Sequence, residues 1–284
     1  MKLARFSIKN EISAGVVVDN GIIDFKKIDF PHKDLQSLIE AGPEALALLK
    51  ERCKGVAAHH QLADVTLLAP IPKPGKFLAI GMNYKKHEEE ASKLGVEKRV
   101  HQTWFNKQVS CVNDPFGSID PGVTEKLDYE AELGLVIGKR SKKLNVDNVR
   151  DAIFGYLIVN DVSARDWQFH TLTFTMGKSF DTHGPIGPWI VTADEITDPE
   201  NLGLRCYVNG ELRQSNNTSQ MLHKINDQLI YLTTAFTLEP GDIIATGTPE
   251  GVGVAMEPPV FLQPGDVVRC EIDQIGAIEN KVVA

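Results

Sequence analysis

The stretch Asp128-Tyr129-Glu130-Ala131-Glu132-Leu133-Gly134-Leu135-Val136-Ile137-Gly138 decides the reading of the fold. Its second half is rich in aliphatic residues and predicts a strand. Side chains alternate along a strand, so Glu130 and Glu132 share one face while Ala131, Leu133, Leu135 and Ile137 share the other. One strongly apolar face calls for a covered strand, with the two acids turned to a pocket or to water. Two like charges this close repel unless a cation or a proton sits between them. An exposed strand edge with two ordinary surface acids is the alternative. Asp128 and Tyr129 read as residues leading into the strand.

The surrounding composition narrows the function classes. The chain has 284 residues, 42% hydrophobic and 24% charged, which is average for a soluble globular protein and enough for one large domain or two ordinary ones. A formal net charge of -8 offers no polyanion-binding face, so no nucleic-acid partner is expected, although a local cationic pocket for a small anion is compatible with it. Cys53, Cys111, Cys206 and Cys270 are scattered without a CxxC pair or zinc-ligand spacing, as expected of reduced thiols. The opening Met1-Lys2-Leu3-Ala4-Arg5-Phe6 lacks the apolar run of a signal peptide, and no stretch approaches membrane-spanning length. The expectation is a cytoplasmic protein with no membrane partner.

Upstream, Ala14-Gly15-Val16-Val17-Val18, the turn Asp19-Asn20-Gly21 and Ile22-Ile23-Asp24-Phe25 predict a hairpin. Helical spacing runs from Lys33 to about Lys54, broken at Gly42-Pro43. After a strand at Val65-Leu68, three prolines at 70, 72 and 74 mark a boundary. This divides the chain into a small N-terminal α+β domain, 1–70, and a larger domain, 71–284. In the second, Phe77-Ile80 predicts a strand and Tyr84 to Leu94 a helix, on which His87 and Glu90 share a face. The carboxylate there either orients the imidazole or is simply a surface neighbour.

The apolar run Ile153-Val159 predicts a buried strand that ends abruptly in Asn160-Asp161. An acid there is costly unless paired or bound to a cation. Ser163 to Gln168 makes one helical turn presenting Arg165 and Gln168 together. In the alternative, Asp161 caps that turn and pairs with Arg165. Lys178, in Met176-Gly177-Lys178-Ser179, has the solvated loop lysine as its commoner fate. Gly184 to Pro188 predicts a loop entering a strand, Leu204 to Arg213 a hairpin, and Ser219 to Phe236 a helix. Leu238-Glu239-Pro240-Gly241-Asp242-Ile243-Ile244 and Leu262-Gln263-Pro264-Gly265-Asp266-Val267-Val268 are matching Pro-Gly turns delivering strands. Between them, Ala245 to Gly253 is a glycine-rich loop that composition alone assigns as an ordinary turn, since the P-loop ending is absent.

In order, these motifs resemble the fumarylacetoacetate hydrolase family. They are Gly81-x-Asn83-Tyr84-x-x-His87-x-x-Glu90, Asp128-Tyr129-Glu130-x-Glu132, Asn160-Asp161-x-Ser163-x-Arg165-x-x-Gln168, Gly177-Lys178-Ser179 with Gly184-Pro185, and Thr246-Gly247-Thr248-Pro249-x-Gly251-Val252-Gly253. The likeness runs from about Pro72 onward. It implies an α+β, β-rich fold: a mixed β-sandwich or roll catalytic domain behind the small N-terminal domain. It also implies Mg²⁺ or Mn²⁺, with Ca²⁺ a further candidate, held by Glu130, Glu132 and Asp161, and no organic cofactor. His87, Glu90 and Lys178 would be catalytic; Arg165, Gln168 and Thr248 would position a small anionic 2-oxo acid. A homodimer is implied as well. A further metal-site aspartate of the larger animal hydrolase has no clear counterpart here, which points to the shorter bacterial-type branch.

The activity this implies first is hydrolysis of a C–C bond in a 2,4-dioxo acid from aromatic or sugar-acid catabolism, through a metal-stabilised enolate, with His87–Glu90 activating water. Oxaloacetate decarboxylase or 2-hydroxyhepta-2,4-diene-1,7-dioate isomerase chemistry is the alternative. A non-catalytic 2-oxo-acid binding protein is the third reading.

Overall fold

The computed structural model describes every residue except 94 and 96–98. Its centre is the strand Ala131–Ile137, buried throughout and paired antiparallel with Ile153–Asn160, which is also buried throughout. These continuous apolar strands lie inside a 12-stranded sheet. Beyond Ile153–Asn160 come Gly184–Thr192, Lys2–Ile8, Glu11–Val18, Gly21–Asp24 and His60–Gln61; beyond Ala131–Ile137 come Ile243–Ala245, Phe77–Gly81 and Thr103–Lys107. Two short strands, Thr66–Leu68 and Val112–Asn113, join at the side.

A second sheet has four strands, in the order Glu211–Asn217, Gly203–Val208, Val267–Ile272 and Gly276–Lys281. Ala131, Leu133, Leu135 and Ile137 pack into one core with Leu204, Val268 and Ile278 of that sheet and with Leu229 and Leu232 of the helix Ile225–Ala235. This is the fastening face that the alternation predicts. Val136, on the opposite face, joins a second core with Leu38, Ile39 and Leu49 of the helix Leu35–Cys53. That helix kinks where expected, at Gly42 (φ +77°) before Pro43.

Residues 1–70 are built into the same sheet as the rest. Lys2 and Leu3 pair with Val191 and Ile190, and Leu3 shares a core with Val136 and Ile190.

Two elements differ from their sequence expectations. Gly184 to Pro188 is not a loop: the strand spans Gly184–Thr192 and is irregular opposite Leu157, between the pairs Tyr156↔Val191 and Ile158↔Gly187. A proline is tolerated at such a break because it has no ladder N–H to offer. The helix expected from Ser219 begins only at Ile225. Asn83 intervenes: its backbone carbonyl accepts from Leu222 N–H, its Oδ1 accepts from His223 N–H at 2.8 Å, and its Nδ2 donates to His223 O and Thr246 O. Those tertiary bonds hold 221–223 out of the helix, in a bridge at Met221 followed by a bend. The helix through His87 spans Lys85–Lys93; the expected last position, Leu94, lies outside the described residues.

Asn83 is fully buried. Replacing it with Ala removes three hydrogen bonds and leaves buried backbone groups unpaired, so Asn83→Ala should cost about 2–4 kcal/mol. Urea unfolding checks this: the midpoint falls at an unchanged slope. An unaltered midpoint would remove Asn83 from this role.

Candidate active site

The two central strands bring three acids together. Ala131 pairs with Asn160, so Glu130 and Asp161 sit side by side just beyond the ladder, where Asp161 N–H donates to Glu130 O at 2.8 Å. Asn160 Oδ1 accepts from Glu130 N–H. Glu132 follows on the same face. Glu130, Glu132 and Asp161 are all buried, and each offers an oxygen within 4.8 Å of the others.

Burying such a cluster requires cations, and the chain supplies them. Lys178 Nζ lies 2.7 Å from Glu130 Oε2 and 2.9 Å from Asp161 Oδ2, so it is no solvated loop lysine. Lys107, which the sequence reading missed, lies 2.7 Å from Asp161 Oδ1 with its side chain wholly buried, and also donates to Lys178 O. Arg165 bridges Asp128 Oδ2 at 2.9 Å and Glu130 Oε1 at 2.7 Å. It does not pair with Asp161, and Asp161 does not cap the turn Arg165–Gln168, which has no side-chain cap.

Charge arithmetic then singles out one acid. Four carboxylates (128, 130, 132, 161) face three cations (107, 165, 178), a sum of minus one. Burial raises Glu130, but Lys178, Arg165 and His87 outweigh it and bring its pKa down to about 2. Burial also opposes the charge on Lys107, yet Asp161 holds its proton more tightly than usual. Glu132 makes no ion pair among the described residues. Burial first, then Asp161 and Glu130, push its pKa well up. A proton on Glu132 makes the metal-free cluster neutral. Three buried carboxylate oxygens with one unmatched charge fit a hard divalent cation in place of that proton.

The glycine-rich loop is not an ordinary turn. Its amides hold three of the chain's own carboxylates: Gly247 N–H donates to Glu132 at 2.7 Å, Gly251 N–H to Glu90 at 3.0 Å, and Gly253 and Val254 N–H to Asp128 at 2.8 and 3.0 Å. Gly247 sits at φ +97°, and a Cβ there would meet Asn83 Cβ at 2.7 Å, so this position needs glycine. Asp128 and Tyr129 are therefore more than a lead into the strand. Asp128 anchors both this loop and Arg165, and Tyr129 Oη donates to Gly251 O.

A cavity of about 240 Å³ opens against the cluster. His87, Glu90, Glu130, Arg165, Gln168, Lys178 and Thr248 all line it, while Glu132 and Asp161 are not among its lining residues. His87 Nδ1 is 3.3 Å from Glu90 Oε2, so the helical pair is a dyad facing the cavity. Gln168 Oε1 accepts from Arg165 Nη1, which leaves its amide N–H₂ for a ligand. Thr248 is less free than expected: its hydroxyl donates to Ala131 O and accepts from Gln214 Nε2.

If a cation displaces a proton held on Glu132, Mn²⁺ binding to metal-free protein should release protons, and affinity should fall as pH is lowered. Calorimetry in two buffers of different ionisation heat reads this directly; a buffer-independent heat would contradict it. Glu132→Gln should weaken binding beyond the ~10–100-fold typical of an outer-shell partner.

Comparison with known proteins agrees with this architecture. A family model described as fumarylacetoacetate hydrolase C-terminal matches residues 76–283. A mitochondrial oxaloacetate tautomerase of Xenopus laevis is 42% identical over 292 residues, covering 100% of this chain and 90% of the relative. The fumarylacetoacetate hydrolase of Exiguobacterium antarcticum superposes with a TM-score of 0.84 at 37% identity, covering 100% of this chain and 99% of that one. The maleylpyruvate hydrolase of Sphingobium sp. SYK-6, solved with manganese(II) and pyruvate, superposes with a TM-score of 0.81 at 31% identity and the same coverage. With its motifs gathered at one buried site on this fold, the chain belongs to the fumarylacetoacetate hydrolase family.

Proposed function

We propose that this protein is a divalent-metal-dependent enzyme that interconverts the enol and keto forms of a 2-oxo acid, with oxaloacetate as the reference substrate. The observation that carries this is the shared cavity. A proton-transfer dyad, His87–Glu90, lines the same 240 Å³ space as Glu130, Lys178, Arg165 and Gln168. The name of the Xenopus laevis relative, matched along the whole chain, supports it over the hydrolysis expected first.

A cation held by Glu130, Glu132 and Asp161 would supply a Lewis acid for the 2-oxo and carboxylate oxygens. The chain's own groups do the rest. Glu90, held by the Gly251 amide, orients His87 through Nδ1 and leaves Nε2 to move the proton. In ketonisation the enol O–H bond breaks and a C3–H bond forms, so a group able both to take and to give a proton suffices. Lys178, with Phe105 5.1 Å from its ammonium, would offer a poorly hydrated positive charge to the developing enolate oxygen. Arg165, fixed by two carboxylates, and the Gln168 amide orient the substrate's oxygens.

Hydrolysis of a 2,4-dioxo acid is the second reading, favoured by the pyruvate complex of the similar maleylpyruvate hydrolase. There His87 would take its proton from water. The two separate by assay: loss of enol absorbance for oxaloacetate against pyruvate release from an acylpyruvate. We expect metal-dependent ketonisation, abolished by EDTA. His87→Ala should lower kcat by ~10²–10⁴-fold with the fold intact by circular dichroism. Full activity in EDTA would refute the metal role, and full activity of His87→Ala would refute the dyad.

A further inference from the structure

The cavity has two kinds of lining. Beside the charged and amide groups already described runs a row of aromatic rings that starts at Phe105, 5.1 Å from the Lys178 ammonium. Phe105 and Phe174 meet edge-on with ring centres 6.0 Å apart, and Phe174 meets Phe169 in the same way at 5.6 Å. Met82, Val254 and Ala255 are among the further apolar lining residues. Phe169 is 62% exposed, which places it at the rim.

This asymmetry bears on the substrate. Among the described residues that line the cavity, Lys178 and Arg165 are the permanent cations. Both are engaged by carboxylates: Lys178 by Glu130 and Asp161, Arg165 by Asp128 and Glu130. The charged groups, with the cation that the carboxylates fit, can receive one substrate carboxylate and the adjacent 2-oxo oxygen. A second carboxylate turned toward Phe174 and Phe169 would lie against phenylalanine rings and find no further permanent cation among the described lining residues, which is costly. An aryl group in the same place keeps nothing polar unpaired, buries apolar area, and finds ring edges and faces to contact.

Resting on the proton-transfer reading of this site, we propose a further activity: tautomerisation of 2-oxo acids that carry an aromatic group on C3, the arylpyruvates. The step balances without a co-reactant. The enol O–H bond breaks, a C–H bond forms at C3, and the double bond moves from C2–C3 to C2–O. Phe105, Phe169 and Phe174 are the specificity-determining residues.

Phenylpyruvate is the probe. Its enol and that of oxaloacetate are presented separately to the Mn²⁺-loaded protein, and loss of enol absorbance is followed. The expected kcat/KM for phenylpyruvate is at least equal to that for oxaloacetate. Phe174→Ala should lower the phenylpyruvate-to-oxaloacetate ratio tenfold or more. Phe169→Arg, at an exposed position, should shift it the same way by placing a cation beside the Phe174 ring. The inference is overturned if phenylpyruvate is neither turned over nor competes with oxaloacetate, or if both variants leave the ratio within twofold. If neither enol is processed, the tautomerase reading fails instead. Calorimetric binding of phenylpyruvate, weakened by Phe174→Ala, then still decides whether the row of rings receives an aryl group.

Discussion

The structure depends on the electrostatic balance of a buried carboxylate cluster. Glu130 and Asp161 are brought side by side by the ladder of the two most buried strands, a position that like charges would not hold unaided. Lys178 and Lys107 hold them, and Arg165 ties Glu130 to Asp128. Removing one partner of such a group leaves an uncompensated buried charge. The same contacts that let the strands close also set the site's charge and leave Glu132 as the acid without an ion-pair partner among the described residues.

The glycine-rich loop is the second tie. Its amides reach Glu132, Glu90 and Asp128, so one loop fixes a candidate metal ligand, the partner of the proposed base, and the anchor of Arg165. Orienting a catalytic imidazole through a carboxylate that is itself held by a backbone amide removes freedom from both side chains. One loop thus touches both the dyad, through Glu90, and the carboxylate cluster, through Glu132.

Much of this was legible in the sequence where the cause is local. Alternation placed Glu130 and Glu132 on one face of a strand fastened by the other, and Gly42-Pro43 marked the helix kink. The family motifs include His87, Glu90, Glu130, Arg165, Gln168, Lys178 and Thr248, which line one cavity, but not its three phenylalanines. What local patterns could not show were effects of distant partners. Asn83 shortens the helix after residue 219 through bonds across 140 residues of sequence, and strand pairing absorbs the Gly-Pro segment at 184–188. Lys107 was missed because a single lysine in a strand is ordinarily at the surface. A signal existed, since Phe105 and Lys107 alternate onto the same face and both are buried. The loop amides were assigned by composition to an ordinary turn because their acceptors lie 115 to 161 residues away. The family match starts at residue 76, and the sheet runs through the boundary expected near residue 70.

The proposed function rests on Glu130, Glu132 and Asp161 exchanging a proton for a divalent cation beside the cavity that His87 and Glu90 line. A crystal structure of the protein soaked with Mn²⁺ and oxalate, with anomalous scattering recorded at the manganese edge, tests it most directly. The account predicts a single anomalous peak ligated by all three carboxylates, with oxalate beside it and the His87–Glu90 dyad facing the same space. A peak elsewhere, or none at saturating Mn²⁺ with Lys178 still bridging Glu130 and Asp161, would contradict it.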